Sequence, residues 1–161
     1  MSTTRLPVLF LTDLVVLPGM VVPIELDDSA RAAVDAARSH SDGRLLVAPR
    51  LEDRYASYAV EASIVQMGRL ATGEAAAVIR AEHRARIGAG VSGPGTALWV
   101  EAEELDQPTP DSDEVRTLAG EYKALVIATL QRRDAWQVID TVNQVTDPSA
   151  LADLALSLIH I

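Results

Sequence analysis

The side chains that could do chemistry are few, and the single lysine, Lys123, is the most informative of them. A phosphate-binding loop ends in Gly-Lys-Ser or Gly-Lys-Thr, and a Ser–Lys dyad needs a lysine to activate its serine. Lys123 instead follows Glu121 and Tyr122 in a segment of helical periodicity, on the exposed side of the predicted helix. We therefore expect neither ATP hydrolysis nor Ser–Lys proteolysis from this chain.

A metal site is also not indicated. The chain has no cysteine, and its histidines His40, His83 and His160 lack the spacing of metal ligands. His83 lies in the charged sequence EHRAR, which is typical of a solvated strand end. We expect no metal and no cofactor on this chain, and we interpret His83 as a solvent-facing side chain.

Three carboxylates, Glu101, Glu103 and Glu104, could act together in acid–base catalysis. On an alternating strand Glu101 and Glu103 share one face, but no catalytic partner lies near them in the sequence. The commoner role of such residues is to form the solvated face of a strand, and this is the interpretation we favour.

The one basic cluster consists of Arg69, Arg80, Arg84 and Arg86. It could contact a phosphate or a neighbouring acidic domain. A sheet face linked by salt bridges is the commoner arrangement, and we favour it here.

The remaining candidate is an apolar surface around the Pro-Gly turn at Pro18. Proline fixes φ and glycine accepts positive φ, as the central positions of a type II turn require. Met20, Val21 and Pro23 follow directly, and Val78, in a later strand that is apolar on both faces, could extend the surface. Two interpretations stay open: these side chains cap a core, or they form an exposed patch that binds unfolded polypeptide through adaptable apolar contacts.

The composition indicates a globular chain with an aliphatic core, because 48% of its 161 residues are hydrophobic and only 4% are aromatic. Asp13 and three prolines interrupt its most apolar stretch, residues 6–24, whereas a membrane helix needs about 20 consecutive apolar residues. Only Arg5 precedes that stretch, so no signal peptide is recognisable. We expect a soluble, cytoplasmic chain that does not bind membranes.

The charge argues against nucleic-acid binding, since the net charge is −9. Residues 1–105 carry 10 basic and 14 acidic side chains, and residues 106–161 carry 4 and 9. Proteins that bind nucleic acids gain much of their affinity from lysines and arginines that neutralise phosphates. We expect no nucleic-acid partner, and we expect Trp99 and Trp136 to pack within cores.

The first 106 residues alternate short apolar runs with turns, which is typical of β-strands. An N-cap at Asp27 precedes apolar residues at helical spacing and predicts one helix that ends near His40. Residues 71–74 predict a hairpin connection with Gly73 at its tip. The elements together predict an α+β protein whose small twisted sheet closes toward a barrel. Strands are predicted at residues 8–11, 15–17, 21–26, 44–49, 58–70, 75–81, 84–89 and 97–105.

The last predicted strand alternates in character. Leu98 and Val100 fall on one face, and Trp99, Glu101 and Glu103 fall on the other. We expect the second face to contact water.

Residues 107–112, with two prolines in an acidic stretch, predict a stiff linker. Beyond it, residues 113–161 have a helical period and predict a helical subdomain. Asp111 with Glu114 forms a capping-box-like start to the first helix. The apolar stripe of that helix comprises Val115, Leu118, Ala119, Tyr122, Leu125, Val126 and Leu130.

Two further helices are predicted in this subdomain. One covers residues 135–145, with Asp134 as its cap and Trp136 buried, and the other begins at Asp147-Pro148. The chain stops inside an apolar helix, so we expect the subdomain to be truncated. Whether residues 158–161 belong to the native sequence is left open.

Several short motifs, in this order and spacing, resemble one family. The first two are LPVL at residues 6–9 and LPGMVVP at residues 17–23. They are followed by LLVA at 45–48, YAV at 58–60, GRL at 68–70, RARI at 84–87, TDP at 146–148 and LAD at 151–153. The chain thereby resembles the amino-terminal domain of Lon proteases over almost its whole length.

The resemblance implies a PUA-like β lobe, followed by a helical-bundle segment that leads to an AAA+ ATPase domain and a Ser–Lys protease domain. It implies that the domain selects unfolded, damaged or tagged proteins in protein quality control and supports assembly of a homo-hexamer. ATP, Mg²⁺ and hydrolysis would belong to the parent protein and its other domains. Partners would be protein substrates and the parent's own ATPase and protease domains.

The chain departs from the family pattern at two places. Phe10 and Thr12 stand where the family often has a proline and a basic residue, and Thr72-Gly73 stands where Asp-Gly is common. Two alternatives stay open: a free-standing adaptor or ligand-binding module with the same lobe, and a PUA-like RNA binder. The net charge of −4 on residues 1–105 argues against the second.

Overall fold

The computed structural model describes residues 2–107 and 111–159. The chain separates into two compact units, Met1–Leu105 and Asp106–Ile161. Half of the predicted linker (residues 108–110), together with His160 and Ile161, lies outside the described residues. The described elements are β1 (Thr3–Leu11), β2 (Val21–Glu25), α1 (Asp28–His40), β3 (Arg44–Pro49), β4 (Tyr58–Arg69), β5 (Ala75–Val91), β6 (Leu98–Glu104), α2 (Asp113–Arg132), α3 (Trp136–Gln144) and α4 (Pro148–Ile159).

The first unit contains one mixed sheet in the order β2-β5-β4-β3-β1-β6. β1 and β3 are parallel, and the other neighbouring pairs are antiparallel. β5 also pairs with β6, so β5, β4, β3, β1 and β6 form a closed circuit. β2 lies outside this circuit and pairs only with β5 among the described strands.

Two hydrophobic clusters fill this unit. One joins the sheet to α1, and its members include Leu9, Val34, Leu45, Ala62 and Ile79. The other takes residues from each strand of the closed circuit, including Leu6, Leu46, Ala59, Ala85 and Val100. Successive side chains of a strand point to opposite faces, so Leu45 and Leu46 enter different clusters. Burial on both faces explains the continuous apolar run of β3.

Two strand predictions in this unit are wrong. Residues 15–17 form no strand: Val16 packs into the α1 cluster, but Val15 is exposed and the segment joins no ladder. The strands predicted at residues 75–81 and 84–89 are one strand, β5. The pairing with β4 shifts register where Glu61 faces His83 and Ala62 faces Ala81. Between these two pairs β5 has one more residue than β4, namely Glu82, and the register shift accommodates it while β5 remains continuous.

The prediction of α1 is confirmed. The Asp27 carboxylate accepts a hydrogen bond from the Ala30 amide at 2.7 Å, and the helix ends at His40. Gly43, with φ +75°, follows the helix in the conformation that glycine adopts without strain.

The expectation that Trp99 packs within a core is confirmed, but the strand alternation that placed it on the wet face is wrong. Trp99 is 4% exposed, and its indole Nε1 donates to the Pro94 carbonyl at 3.0 Å. Its ring meets the ring of His40 edge to face, whereas Leu98 is 42% exposed. Alternation at the start of a strand gives the wrong face here because α1 covers the side of the sheet that was expected to be open.

In the second unit, two of the three predicted helix caps are wrong. Ser112, and not Asp111, caps α2 by accepting from the Val115 amide at 3.2 Å. Asp111 instead pairs with Arg116 at 2.6 Å. Asp134 has φ 56° and does not cap α3, which begins without a side-chain cap.

The third cap is confirmed at the start of α4. The Asp147 carboxylate accepts from the Ala150 amide at 2.9 Å. An Asx cap of this kind satisfies an amide that the first turn of the helix leaves without a partner.

The core of this unit is formed by Leu130, Val142 and Leu151. Trp136 is 58% exposed, so the prediction that it is buried is wrong, and Leu125 of the α2 stripe is 61% exposed. A helical stripe shows which residues share a helix face, but only the neighbouring helices decide which part of the stripe is covered.

Lys123 was expected on an exposed face, and this is also wrong. Its ammonium group donates to the carbonyl of Val145 at 2.7 Å and lies 3.4 Å from that of Asn143. The last carbonyls of a helix have no partner within the helix, and a cation there also suits the helix dipole. Lys123 therefore joins α2 to the end of α3.

None of the helices in residues 2–107 and 111–159 combines the length and apolar character that a membrane crossing requires.

Candidate functional site

The apolar candidate site begins with a tight turn at residues 17–20. The Met20 amide donates to the Leu17 carbonyl at 3.1 Å, and Gly19 has φ +87°, as the third position of a type II turn requires. The Gly19 amide donates to the Ala81 carbonyl at 2.9 Å. This bond attaches the turn to β5.

Pro18 and Met20 are the two candidate residues within this turn. Both are half-buried, and Met20 packs against the cluster between the sheet and α1. The amide of Leu17 lies 3.2 Å from the Met20 sulfur. Met20, one of the five candidate residues, thus contributes to the core.

Val21, Pro23 and Val78 lie together on the opposite face. Pro23 is paired with Val78 across the β2–β5 ladder, and directly opposed residues of an antiparallel pair point to the same face. Val21 is 54% exposed, Pro23 is exposed and Val78 is half-buried. We call these three residues the β2–β5 apolar face.

A second apolar region was missed by sequence reasoning. A groove of about 280 Å³ is lined by the segment at Val15 and by residues of β3 and β4, including Tyr58. Val15 is 55% and Tyr58 58% exposed. The two residues lie 43 positions apart in the sequence, so no local pattern brings them together.

The carboxylate Glu61, 7% exposed, is the centre of a charged network. Arg44 lies 2.9 Å and His83 3.1 Å from its two oxygens, and His83 lies 3.8 Å from Glu104. The interpretation of His83 as a solvent-facing residue is therefore wrong. Strands β3, β4, β5 and β6 each contribute one member. Since the partners of Glu61 are basic side chains, the network satisfies a buried charge.

The structure divides the predicted basic cluster. Arg86 lies 3.7 Å from Glu103, in line with the salt-linked sheet face that we favoured. Arg80 and Arg84 lie on opposite faces, because the register shift of the β4–β5 ladder falls between them. Arg69 lies at the hairpin end of β4. No continuous basic surface is formed by these four residues.

The charged residues around a cavity of about 750 Å³ in the second unit already have partners. Arg116 contacts Asp111, Lys123 contacts backbone carbonyls and Asp147 caps α4. Among the described residues, no three His, Asp or Glu side chains are grouped so that they could hold a metal ion.

Comparison with known proteins gives consistent matches. A family model for the substrate-binding domain of ATP-dependent protease La (LON) matches residues 5–161. The Lon protease of Mycolicibacterium smegmatis is 69% identical over 149 residues, and that of Escherichia coli K12 is 32% identical over 162 residues. These alignments cover 92% of this chain but 19% and 20% of the relatives. The chain therefore spans about a fifth of the length of the curated relatives it matches.

Solved structures of Lon N-terminal domains also match this chain. The N-terminal domain of the Mycobacterium avium complex Lon protease has a TM-score of 0.88 at 60% identity, and the match covers 94% of this chain and 81% of that one. A Lon N-terminal domain protein from Xanthomonas campestris has a TM-score of 0.58 at 19% identity, covering 96% and 98% of the two chains. The second likeness concerns the fold alone.

Proposed function

This chain belongs to the family of substrate-binding domains of the ATP-dependent protease La (Lon), and we propose that it binds unfolded or damaged polypeptide through the β2–β5 apolar face. The observation that supports this site is that Val21 is 54% exposed and lies beside the exposed Pro23 on one face of β2. Both residues belong to the motif at residues 17–23 on which the family resemblance partly rests. Contiguous exposed apolar residues are typical of interaction surfaces.

We further propose that the chain itself performs no hydrolysis. In the parent protein, an AAA+ domain using ATP and Mg²⁺ and a Ser–Lys protease domain would act on the polypeptide that this domain delivers. The parent would be a cytoplasmic homo-hexamer, and this domain would contribute to its assembly. The resemblance to Lon supports these proposals, as does the inventory of a chain with one lysine, whose ammonium group is engaged by backbone carbonyls.

The proposed organisation has a PUA-like lobe in residues 1–106, a linker in residues 107–112 and a helical-bundle subdomain in residues 113–161. The closed circuit of strands and the change to helices after residue 105 support it. A free-standing adaptor with the same lobe is the alternative. A PUA-like RNA binder is disfavoured by the division of the arginines between opposite sheet faces.

The test is fluorescence anisotropy of a labelled protein, in its native form and in a permanently unfolded form, titrated with this chain. Only the unfolded form should bind. The variant Val21→Ser should weaken binding about fivefold, because it removes exposed apolar surface from the proposed contact.

The matched control is Val15→Ser, because Val15 and Val21 are 55% and 54% exposed in the same unit. We expect Val15→Ser to leave binding unchanged. A loss of binding with Val15→Ser alone would assign the contact to the groove at Tyr58. Failure of the unmodified chain to bind either form would contradict the proposed function.

A further inference from the structure

We propose that the free edge of β2 binds an extended apolar segment of the unfolded polypeptide as an added β-strand. The inference rests on the proposed function and concerns how the same region holds its substrate. It assigns part of the binding to main-chain hydrogen bonds and part to the β2–β5 apolar face.

The main-chain groups available at this edge follow from the ladder with β5. The Ala81 amide donates to the Met20 carbonyl at 2.8 Å, and the Leu26 amide donates to the Ala75 carbonyl at 2.9 Å. Hydrogen-bonded and non-hydrogen-bonded pairs alternate along an antiparallel ladder. The even-numbered residues of β2 therefore bond to β5, and the odd-numbered residues Val21, Pro23 and Glu25 direct their main-chain groups away from it.

The position of the proline agrees with this assignment. Pro23 has no amide hydrogen, and a proline within a sheet is tolerated where that hydrogen would face away from the neighbouring strand. The edge consequently offers the amides of Val21 and Glu25 and the carbonyls of all three odd-numbered residues. All three are exposed.

An unfolded chain carries the complementary groups. Its amides and carbonyls are unpaired when it is extended, whereas a folded protein has already paired nearly all of its buried ones. Strand addition of this kind derives affinity from the main chain and preference from alternate side chains. Every second side chain of the added strand would lie beside Val21 and Pro23, so apolar segments should be preferred.

The lack of an amide hydrogen at Pro23 also limits the strength with which this edge can bind another strand. An uninterrupted edge would pair with the edge of another sheet, and prolines and charged residues are the usual means of preventing this. With Pro23 at its centre and Glu25 at its end, the edge can form only a short, interrupted ladder. Weak, reversible capture suits a polypeptide that must be passed on.

The test compares the 161-residue chain with Val21→Pro and Val21→Ile. The first removes an outward amide hydrogen without breaking a bond to β5, and the second keeps that hydrogen. The probe is a fluorescein-labelled ten-residue peptide of alternating valine and threonine, used also with every backbone nitrogen methylated. Circular dichroism and the thermal midpoint establish that the variants are folded.

We expect Val21→Ile to bind the plain peptide at least as tightly as the unmodified chain, because it keeps the amide hydrogen and enlarges the apolar side chain. Val21→Pro should bind it about fivefold more weakly, the loss expected for one net backbone hydrogen bond. The methylated peptide should bind at least as weakly to the unmodified chain, and this arm remains informative if Val21→Pro does not fold.

Equal binding of both peptides to the unmodified chain would overturn the edge proposal and leave the proposed function intact. Failure of the unmodified chain to bind the peptide or any unfolded protein would overturn the proposed function itself. If the unmodified chain dimerises but does not bind the peptide, and Val21→Pro abolishes the dimer, a second copy of the chain occupies the edge. That result would also overturn the proposal.

Discussion

Gly93 allows Trp99 to occupy its buried position, and the substitution Gly93→Ala should therefore destabilise the first unit. An added Cβ would lie within 3.0 Å of several ring atoms of Trp99, closer than real Cβ atoms come. Gly93 is not among the glycines with positive φ, so the clash with the ring, and not the backbone conformation, determines the effect. The indole has little room to move, because it is 4% exposed.

The magnitude follows from two costs. Displacing a packed side chain from a dense core costs about 2 kcal/mol. Losing the hydrogen bond from Nε1 to the Pro94 carbonyl, now 3.0 Å long, costs about 1 kcal/mol more. A total of about 3 kcal/mol should lower the thermal midpoint by about 12 °C, at about 4 °C per kcal/mol for a unit of this size.

The assay is thermal unfolding by circular dichroism, combined with tryptophan fluorescence in a Trp136→Phe background, where Trp99 is the only remaining tryptophan. Gly93→Ala should shift the emission of Trp99 to longer wavelength. Gly68→Ala is the matched control, because no atom lies within 4 Å of the added Cβ, and it should change stability by less than about 0.5 kcal/mol. An unchanged midpoint and unchanged emission for Gly93→Ala would refute the packing argument.

Three further predictions concern stability in urea. Met20→Ala should lower the free energy of unfolding by about 1.5 kcal/mol because Met20 packs on the core, whereas Val21→Ser should change it by less than about 0.5 kcal/mol because Val21 is exposed. Equal effects of the two variants would contradict the assignment of Met20 to the core and of Val21 to the surface. Glu61→Ala should lower the free energy of unfolding by about 2 kcal/mol because Glu61 is buried. A double-mutant cycle with Arg44→Ala should give a coupling energy of only about 0.5 kcal/mol, because the Arg44 side chain is 46% exposed. A coupling energy near 2 kcal/mol would contradict this assignment. Gly120→Ala should raise the free energy of unfolding by about 1 kcal/mol, as expected for an unobstructed glycine inside a helix, and a decrease would show that α2 needs the glycine.

Local structure was predicted well from the sequence. The Asp27 cap, the end of α1 at His40 and the turn with positive φ at Gly19 all depend on residues within four positions of one another. Hydrogen bonds of that range are set by side-chain type and backbone freedom, which the sequence displays directly. The order and spacing of short motifs along the chain indicated the family.

Which side chains are buried, and which residues share a sheet face, could not be predicted in this way. Periodicity shows which residues share a face, but burial depends on what covers that face, and this is decided by segments distant in the sequence. Strand alternation placed Trp99 on a wet face, but Trp99 is buried beside α1, whereas Trp136 was expected to be buried and is exposed. The arginines at positions 80 and 84 were expected to cluster, but one register shift places them on opposite faces.

The candidate site shows the same limit. The sequence by itself determined that an apolar turn follows β1 and that the chain has a single lysine and no Gly-Lys-Ser or Gly-Lys-Thr motif, because composition and short motifs are properties of the chain alone. Only the tertiary structure decided that Met20 joins the core while Val21 and Pro23 face outward, and that β2 has β5 as its single neighbour among the described strands. The pairing of β2 with a strand more than 50 residues away sets both its register and its exposed face.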